Sequence, residues 1–248
     1  MILHPKSIYD GKFRIRAYEV DRRKRITVRA LIQLMQEAAM QHVIELGLSV
    51  WDIGKQGISW VIMRMDVEFI RLPMLGETIH IRTHGAGSDR LFSYRDYRVW
   101  DAEQRVLAQA SSSWLLMDTA KRKLVRIPRE ILTYKTPPPE DCLERPARKI
   151  GNFSQASRTM YFRVGWHHLD FNEHLNNIFY IQWILEVLGE NILNHKHLKK
   201  LKILYKNEAR LHDELVAELE ELGNGQYMHR LLRQSNGLEL LLAKTTWI

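Results

Sequence analysis

Asp170, Asn172 and His174 stand at a spacing of two, just ahead of a strongly apolar stretch. In an extended segment, residues at i, i+2 and i+4 point to one face. The apolar stretch predicts a helix, and these residues would sit just before its amino terminus. Free backbone N–H groups and the helix dipole favour negative charge there. A carboxylate, an amide and an imidazole so placed could orient a polar substrate and stabilise a developing oxyanion. Residues of these types more commonly make turns and cap helices, and that alternative stands for Asp170 and Asn172. His167, His168, Asp170 and His174 can also be drawn as a metal site. Alternation in a strand sends His167 and His168 to opposite faces, so neither a metal nor a cofactor is expected. No G-x-S-x-G elbow occurs, which argues against a serine hydrolase of the α/β type. Cys142, the only cysteine, falls in a linker and reads as a bystander rather than a nucleophile.

The elements around this segment come in two similar runs. An offset of 149 positions, without a gap, pairs Phe13-Arg14 with Phe162-Arg163, Asp21 with Asp170, Gln33 with Gln182 and Glu37 with Glu186. Such internal repetition, once seen, governs the reading of the fold. Each run opens on an extended segment, 11–20 and 158–165, followed by a short polar stretch and an apolar helix. The helices are placed at about 27–46 and 177–193, with Asn176 or Asn177 suited to cap the second. That second helix is apolar nearly all round, so it should be buried. Strands are expected at 58–70, 77–85, 90–100 and 106–118, then at 201–207, 213–222, 226–233 and 238–247. Ile79, Ile81 and Thr83 alternate with Thr78, His80 and Arg82, as in a half-buried strand. Gly223-Asn224-Gly225 and Ser235-Asn236-Gly237 are hairpin signals. A buried helix followed by an antiparallel meander, twice over, is an α+β pattern. Glu37 and Glu186, in otherwise apolar helices, are expected to make structural hydrogen bonds.

Thr136-Pro137-Pro138-Pro139-Glu140-Asp141 can continue neither a helix nor a central strand, so residues 136–155 read as a linker between domains at 1–135 and 156–248. At 248 residues, 45% hydrophobic and 27% charged, the chain is an ordinary globular one. It has no run of about 18 apolar residues that would span a membrane. The opening Met1-Ile2-Leu3-His4-Pro5-Lys6 lacks the apolar stretch of a signal peptide. One cysteine fits a reducing compartment, and the cytoplasm is the expectation. The net charge of +8 gathers at 22–25, 121–129 and 196–206, which leaves solvated surface, nucleic acid, a membrane surface or an acidic protein partner open. No cluster is interleaved with stacking aromatics, so a nucleic-acid platform lacks support.

Several motifs carry a family resemblance along nearly the whole chain. They are Ile15-Arg16-Ala17-Tyr18-Glu19-Val20-Asp21, Gly57-Ile58-Ser59-Trp60-Val61, Arg71-Leu72-Pro73-Met74-Leu75-Gly76-Glu77 and Trp114-Leu115-Leu116-Met117-Asp118 with Arg122, Arg126 and Pro128. The most specific is Asp170-x-Asn172-x-His174-x-Asn176-Asn177, followed by Tyr180, Trp183 and Glu186. Together they resemble the acyl-acyl-carrier-protein thioesterases of plants and bacteria. The resemblance implies a double hotdog: two antiparallel sheets, each wrapped around a long central helix. It also implies hydrolysis of fatty acyl thioesters on an acyl carrier protein, as in fatty acid biosynthesis, with acyl-chain selection in the first domain and catalysis in the second.

By that resemblance Asp170, Asn172 and His174 belong to the active site, and a glutamate about one strand later, Glu208, completes it. Plant members commonly carry a cysteine directly after the glutamate, where this chain has Ala209, so no cysteine can be required at that position. Glu208 would be the base toward water, assisted by His174, with Asn172 orienting water or carbonyl and Asp170 fixing its neighbours. A buried carboxylate would suit the role of base. The first half keeps Asp21 opposite Asp170 but has Arg23, Arg25 and Leu72 opposite Asn172, His174 and Glu208. A single active site, in the second half, is therefore expected. Val28, Leu31, Leu34, Met35, Trp60 and Ile62 could line an acyl tunnel, and as readily be ordinary core. The partner implied is an acidic carrier protein, with coenzyme A as the alternative carrier; nucleic acid and membrane are not expected, and a homodimer stays open. A non-catalytic acyl-binding hotdog and a hotdog dehydratase are the competing readings.

Overall fold

The computed structural model describes residues 7–128 and 142–248. The proline-rich residues 136–141 of the expected linker lie outside them, and residues 142–157 form neither helix nor strand. The chain divides into two compact units, Met1–Thr27 with Leu31–Pro146, and Val28–Ala30 with Ala147–Ile248.

The first unit holds β1 (Ile8–Arg14), β2 (Ile58–Phe69), β3 (Thr78–Ser88), β4 (Ser93–Trp100), β5 (Val106–Asp118) and β6 (Lys123–Val125). Its antiparallel order is β1-β3-β4-β5-β2, with β6 paired to β5. The helices that precede β2 in sequence are α1 (Val28–Glu45) and α2 (Val50–Gly54). The second unit holds β7 (Arg158–Arg163), α3 (Asn177–Glu186), α4 (Glu190–His195), β8 (Leu198–Tyr205), β9 (Glu214–Gly223), β10 (Gln226–Arg233) and β11 (Glu239–Trp247). Its antiparallel order, β8-β11-β10-β9-β7, is that of the first unit taken from the opposite edge. Few helices against antiparallel sheet make an α+β protein.

The hydrophobic pattern places most strands to within a few residues, and β5 and β10 at the expected bounds. Departures occur where local polar contacts overrule it. After β1 the chain turns into a short 3₁₀ helix at Ala17–Glu19, because the Glu19 carboxylate accepts the Arg16 N–H at 2.7 Å and pairs with its guanidinium. α2 begins where the Ser49 hydroxyl and N–H both donate to Asp52, at 2.6 and 2.9 Å. The second long helix stops at Glu186 rather than running to 193: Gly189, at φ 81°, turns the chain and α4 starts afresh.

α3 is buried on most of its surface, with Ile178, Tyr180, Ile181, Trp183, Ile184 and Leu185 all out of solvent. Burial of each such side chain contributes about 1.5–3 kcal/mol. Glu186 does not share it: it is exposed, and Glu37 likewise faces solvent, accepting a hydrogen bond from Gln41 at 2.7 Å. Asn176 is the cap, its Oδ1 accepting the Ile178 N–H at 3.2 Å. On the sheet beneath, His229 of β10 is fully buried between the Ile184 carbonyl, 2.9 Å from Nδ1, and the Thr245 hydroxyl, 2.8 Å from Nε2. A neutral ring meets both, donating from Nδ1 and accepting at Nε2.

Burial pushes the His229 imidazole down to about 4. An unfolded chain takes up that proton near pH 6.5 and the native state does not, so stability should fall as pH drops from about 6.5 to about 4, by up to roughly 3 kcal/mol. Urea unfolding of His229→Gln across this range should show a flatter pH dependence than the parent chain. Parallel curves would rule out His229 as the source.

Candidate functional site

Asp170, Asn172 and His174 do not lie on an extended segment. They form a tight turn closed by an antiparallel bridge between Leu169 and Leu175. The Asp170 N–H donates to the His174 carbonyl at 2.8 Å, and the Glu173 N–H to the Asp170 carbonyl at 3.0 Å. Asp170 Oδ1 accepts the N–H groups of Asn172 and His174, at 2.8 and 3.2 Å. Glu173 takes a positive φ of 61° to complete the loop. The carboxylate is thus spent on backbone, which is why the alternation rule fails here: an aspartate that can reach two N–H groups makes a turn.

The first unit contains the same turn. Asp21 N–H donates to the Arg25 carbonyl at 2.7 Å, Asp21 Oδ1 accepts from Arg23 and Arg25 at 2.8 and 3.0 Å, and Lys24 has φ 61°. The segment packed beside each turn is duplicated too. Ile26 N–H donates to Pro73 and Leu175 N–H to Ala209, both at 2.8 Å, while Gly76 and His212 both adopt positive φ. The units differ in what the turn displays. Arg25 folds back onto Asp21 in an ion pair of 3.0 Å, beside a buried Leu72. His174 instead points across to Glu208, with Nε2 3.2 Å from Oε2.

Of the four candidates, then, His174 and Glu208 are in contact, Asp170 holds the turn, and Asn172 stands exposed at its tip. Glu208 is partly open to solvent, at 29% side-chain exposure, rather than the buried carboxylate expected from sequence. The imidazole is less exposed, at 18%. A carboxylate and an imidazole at this distance can share or pass a proton, and solvent can reach them. The candidate metal histidines are not gathered. His168 Nδ1 accepts the Gly165 N–H at 3.0 Å and its ring packs on Trp183 and Phe179, while His167 lies edge-on to Trp166.

The segment bearing Glu208 is held by residues with no assigned role in the sequence reading. The Tyr180 hydroxyl accepts the N–H of Ala209 at 2.9 Å and donates to the carbonyl of Asn207 at 3.4 Å, bridging both neighbours of Glu208. Burial pushes the Tyr180 hydroxyl well above its usual range, so it stays a neutral donor and acceptor. Arg233, at the end of β10, donates to the Glu208 carbonyl at 2.7 Å and pairs with Asp213 at 3.0 Å. Tyr180 was visible within the motif that follows Asn176; Arg233 is brought in by strand pairing alone, and no local signal marks it.

A fold of this kind, with the Asp-Asn-His turn ahead of a buried helix, is of the hotdog-type α+β class. Family models match both parts of the chain: the acyl-ACP thioesterase N-terminal domain over residues 6–134 and its C-terminal domain over residues 152–248. This chain belongs to the acyl-ACP thioesterase family. It is 29% identical over 258 residues to a chloroplastic palmitoyl-acyl carrier protein thioesterase of Cuphea hookeriana, covering 97% of this chain and 62% of that protein. It is 30% identical over 259 residues to a chloroplastic acyl-[acyl-carrier-protein] hydrolase of Cuphea viscosissima, with the same two coverages. The chain thus spans about 62% of the length of these curated relatives. Among solved structures, the 12:0-ACP thioesterase of Umbellularia californica matches with a TM-score of 0.86 at 25% identity, covering 100% of this chain and 99% of that one. An acyl-ACP thioesterase of Bacteroides thetaiotaomicron shares the fold at a TM-score of 0.86 and 22% identity, over 98% of each chain.

Replacing Tyr180 by Phe should leave the buried Ala209 N–H without an acceptor and cost about 1–3 kcal/mol of stability. Urea unfolding of Tyr180→Phe measures this directly. A change smaller than about 0.5 kcal/mol, typical of an idle surface position, would show that the hydroxyl does not hold the Glu208 segment.

Proposed function

We propose that this chain hydrolyses fatty acyl thioesters carried on acyl carrier protein, releasing free fatty acid and the carrier thiol. The observation that carries the reading is the 3.2 Å contact between His174 and Glu208 on the family's turn. The first unit, built on the same turn, has no counterpart of that pair. Its relatives' names, and the family to which the chain belongs, support the substrate class.

Glu208 takes a proton from water as the oxygen attacks the thioester carbonyl, and the charge moves to the carbonyl oxygen. His174 holds the carboxylate in place and can relay the proton. Asn172, at the exposed tip of the turn, is free to donate to the water or to the carbonyl. Collapse of the tetrahedral adduct breaks the C–S bond, and the departing sulfur takes the proton from the Glu208–His174 pair. Asp170 acts by holding the turn. This division favours a double hotdog in which residues 156–248 carry catalysis and residues 1–135 bind the acyl chain; residues 136–155 serve as linker. Val28, Leu31, Leu34, Met35 and Ile62 are buried and apolar, as an acyl slot needs, whereas Trp60 packs against Ile53, Ile58 and Leu116 with its Nε1 donating to the Leu48 carbonyl at 3.2 Å. The cytoplasm is the proposed compartment, whose reducing conditions suit a chain with one cysteine; the two Cuphea relatives are named as chloroplastic. Among the described residues no helix is long and apolar enough to cross a membrane.

Glu208→Gln should lower kcat on a fatty acyl-carrier-protein substrate by about 10²–10⁴-fold with the fold unchanged by circular dichroism, the usual contribution of a positioned acid–base group. Hydrolysis at near the parent rate would overturn the scheme. An acidic carrier protein approaching a chain of net charge +8 should be steered by charge, so kcat/KM should fall steeply as salt rises. A flat salt profile, with equal or better use of the coenzyme A thioester, would point to coenzyme A as the carrier.

A further inference from the structure

The first unit carries a second polar constellation, away from its Asp21 turn. His84 on β3 and Asp96 on β4 are directly opposite in the antiparallel register, and Ser111 on β5 is the next residue in that row. Directly opposed residues place their Cβ atoms about 4.5–5.5 Å apart on one face of the sheet. By alternation this face is the one opposite Ile81 and Val99. Residues 142–146 pass beside it. The Leu143 N–H donates to Asp96 Oδ2 at 2.6 Å, and the Arg145 guanidinium lies 4.2 Å over the Tyr94 ring. These contacts seat Cys142 at the row, so that one ligand atom each from His84, Asp96 and Cys142 lies within 4.8 Å of the others.

His84 and Asp96 are 3% and 1% exposed, whereas Cys142 is half-buried and gives access from solvent. Asp96 Oδ1 and the Ser111 hydroxyl are both buried on this face, where the Ser111 hydroxyl is the neutral group that faces the carboxylate and neither makes a well-formed hydrogen bond. A buried carboxylate met only by a neutral hydroxyl on that oxygen is costly unless something cationic meets it. The His84 imidazole is already set up for the purpose. Its Nδ1 lies 3.1 Å from the Gly85 carbonyl, so Nδ1 carries the proton and Nε2 keeps its lone pair, as in most metal-bound histidines. Arg98, two residues from Asp96 on the same strand, adds positive charge near the row, and the two anions a metal would gather, thiolate and carboxylate, offset a divalent charge.

We propose that His84, Asp96 and Cys142 bind a divalent metal ion of the zinc class through one imidazole, one carboxylate and one thiolate. The fourth position is left to water or to the Ser111 hydroxyl. This ligand set suits Zn²⁺ and its cobalt substitute rather than Mg²⁺ or Ca²⁺, which take oxygen donors. Bonds of about 2.0–2.3 Å to a tetrahedral ion put ligand atoms roughly 3.3–3.8 Å apart. The observed cluster needs to contract by about an ångström to reach that, within the scope of small side-chain rotations. The ion would fasten residues 142–146 to β4. On this proposal Cys142 is a ligand rather than a bystander; the inference does not depend on the thioesterase reading, because it involves none of those residues.

The test uses the full chain, reduced and stripped with a chelator, then titrated with Co²⁺ and Zn²⁺. Because Cys142 is the only cysteine in the chain, a thiolate-to-cobalt charge-transfer band can come from no other residue. One equivalent of Co²⁺ should produce the band, Zn²⁺ should abolish it by displacement, and Zn²⁺ should raise Tm. Cys142→Ser should lose the band and the rise in Tm. His84→Gln should weaken Zn²⁺ binding by more than the roughly 10–100-fold that an outer-shell change costs. Absence of the band in the folded parent chain would overturn the proposal, whatever the variants do. So would Zn²⁺ binding of equal affinity in Cys142→Ser, which would mark an adventitious ion on surface histidines.

Discussion

The turn closed by one aspartate carboxylate sets the geometry on which everything near the candidate site depends. Asp170 Oδ1 ties down the N–H groups two and four residues on, at 2.8 and 3.2 Å, and forces the residue between them to positive φ. Leu169 and Leu175 can then bridge, Leu175 can donate to Ala209, and Asn176 can cap α3. The apolar helix enters at a fixed angle because its first residues are fastened on two sides. Asp21 does the same for α1 with matching distances. Such a turn survives almost any choice of residue at its third and fifth positions, since it uses only their backbone.

That freedom accounts for the difference between the units. The positions at which the first unit has Arg23 and Arg25 are those at which the second has Asn172 and His174. In the first unit the side chain at the fifth position returns to its own aspartate, and Leu72 opposite is 9% exposed. Burying a leucine fully is worth about 1.5–3 kcal/mol relative to leaving it in water. The second unit gives up part of that apolar burial by placing Glu208 there. It compensates with polar links to the same segment, from Tyr180 on either side and from Arg233 to the Glu208 carbonyl. With its segment held through the backbone, Glu208 presents its carboxylate to His174.

How much of this could be read from sequence follows from how local each interaction is. The Asn176 cap, the hairpins at Gly223-Asn224-Gly225 and Ser235-Asn236-Gly237, and the bounds of β5 and β10 rest on contacts within a few residues. Periodicity and turn chemistry capture these. The end of α3 at Glu186 is not legible in the pattern, because apolar residues continue through Val187 and Leu188 and hide the break that Gly189 makes with φ 81°. At Asp170 the i, i+2, i+4 spacing of polar residues mimics a strand face, so sequence alone leaves extended chain and turn both open, and the structure has the turn. Its duplicate at Asp21 was the available clue, since a shared aspartate beside unlike neighbours indicates a backbone role. Arg233 and the His84–Asp96 pairing depend on strand register, which no single segment encodes.

His229 shows how the buried helix is coupled to the sheet under it. Ile184 sits in the last turn of α3, where backbone carbonyls lack partners within the helix. A sheet of purely apolar side chains would leave that carbonyl unsatisfied in a dry interior. His229 supplies the donor, and Thr245 on β11 occupies the other ring nitrogen, so one cross-strand link serves helix and sheet together. An asparagine or glutamine could donate to one of these groups, but imidazole spans both while adding ring surface to the core. The arrangement holds only while the ring is neutral, which burial enforces by depressing its proton affinity. α3 is therefore fixed at its start by the Asp170 turn and the Asn176 cap, and at its end by His229. Tyr180, between those anchors, can then hold the Glu208 segment against a helix that does not shift.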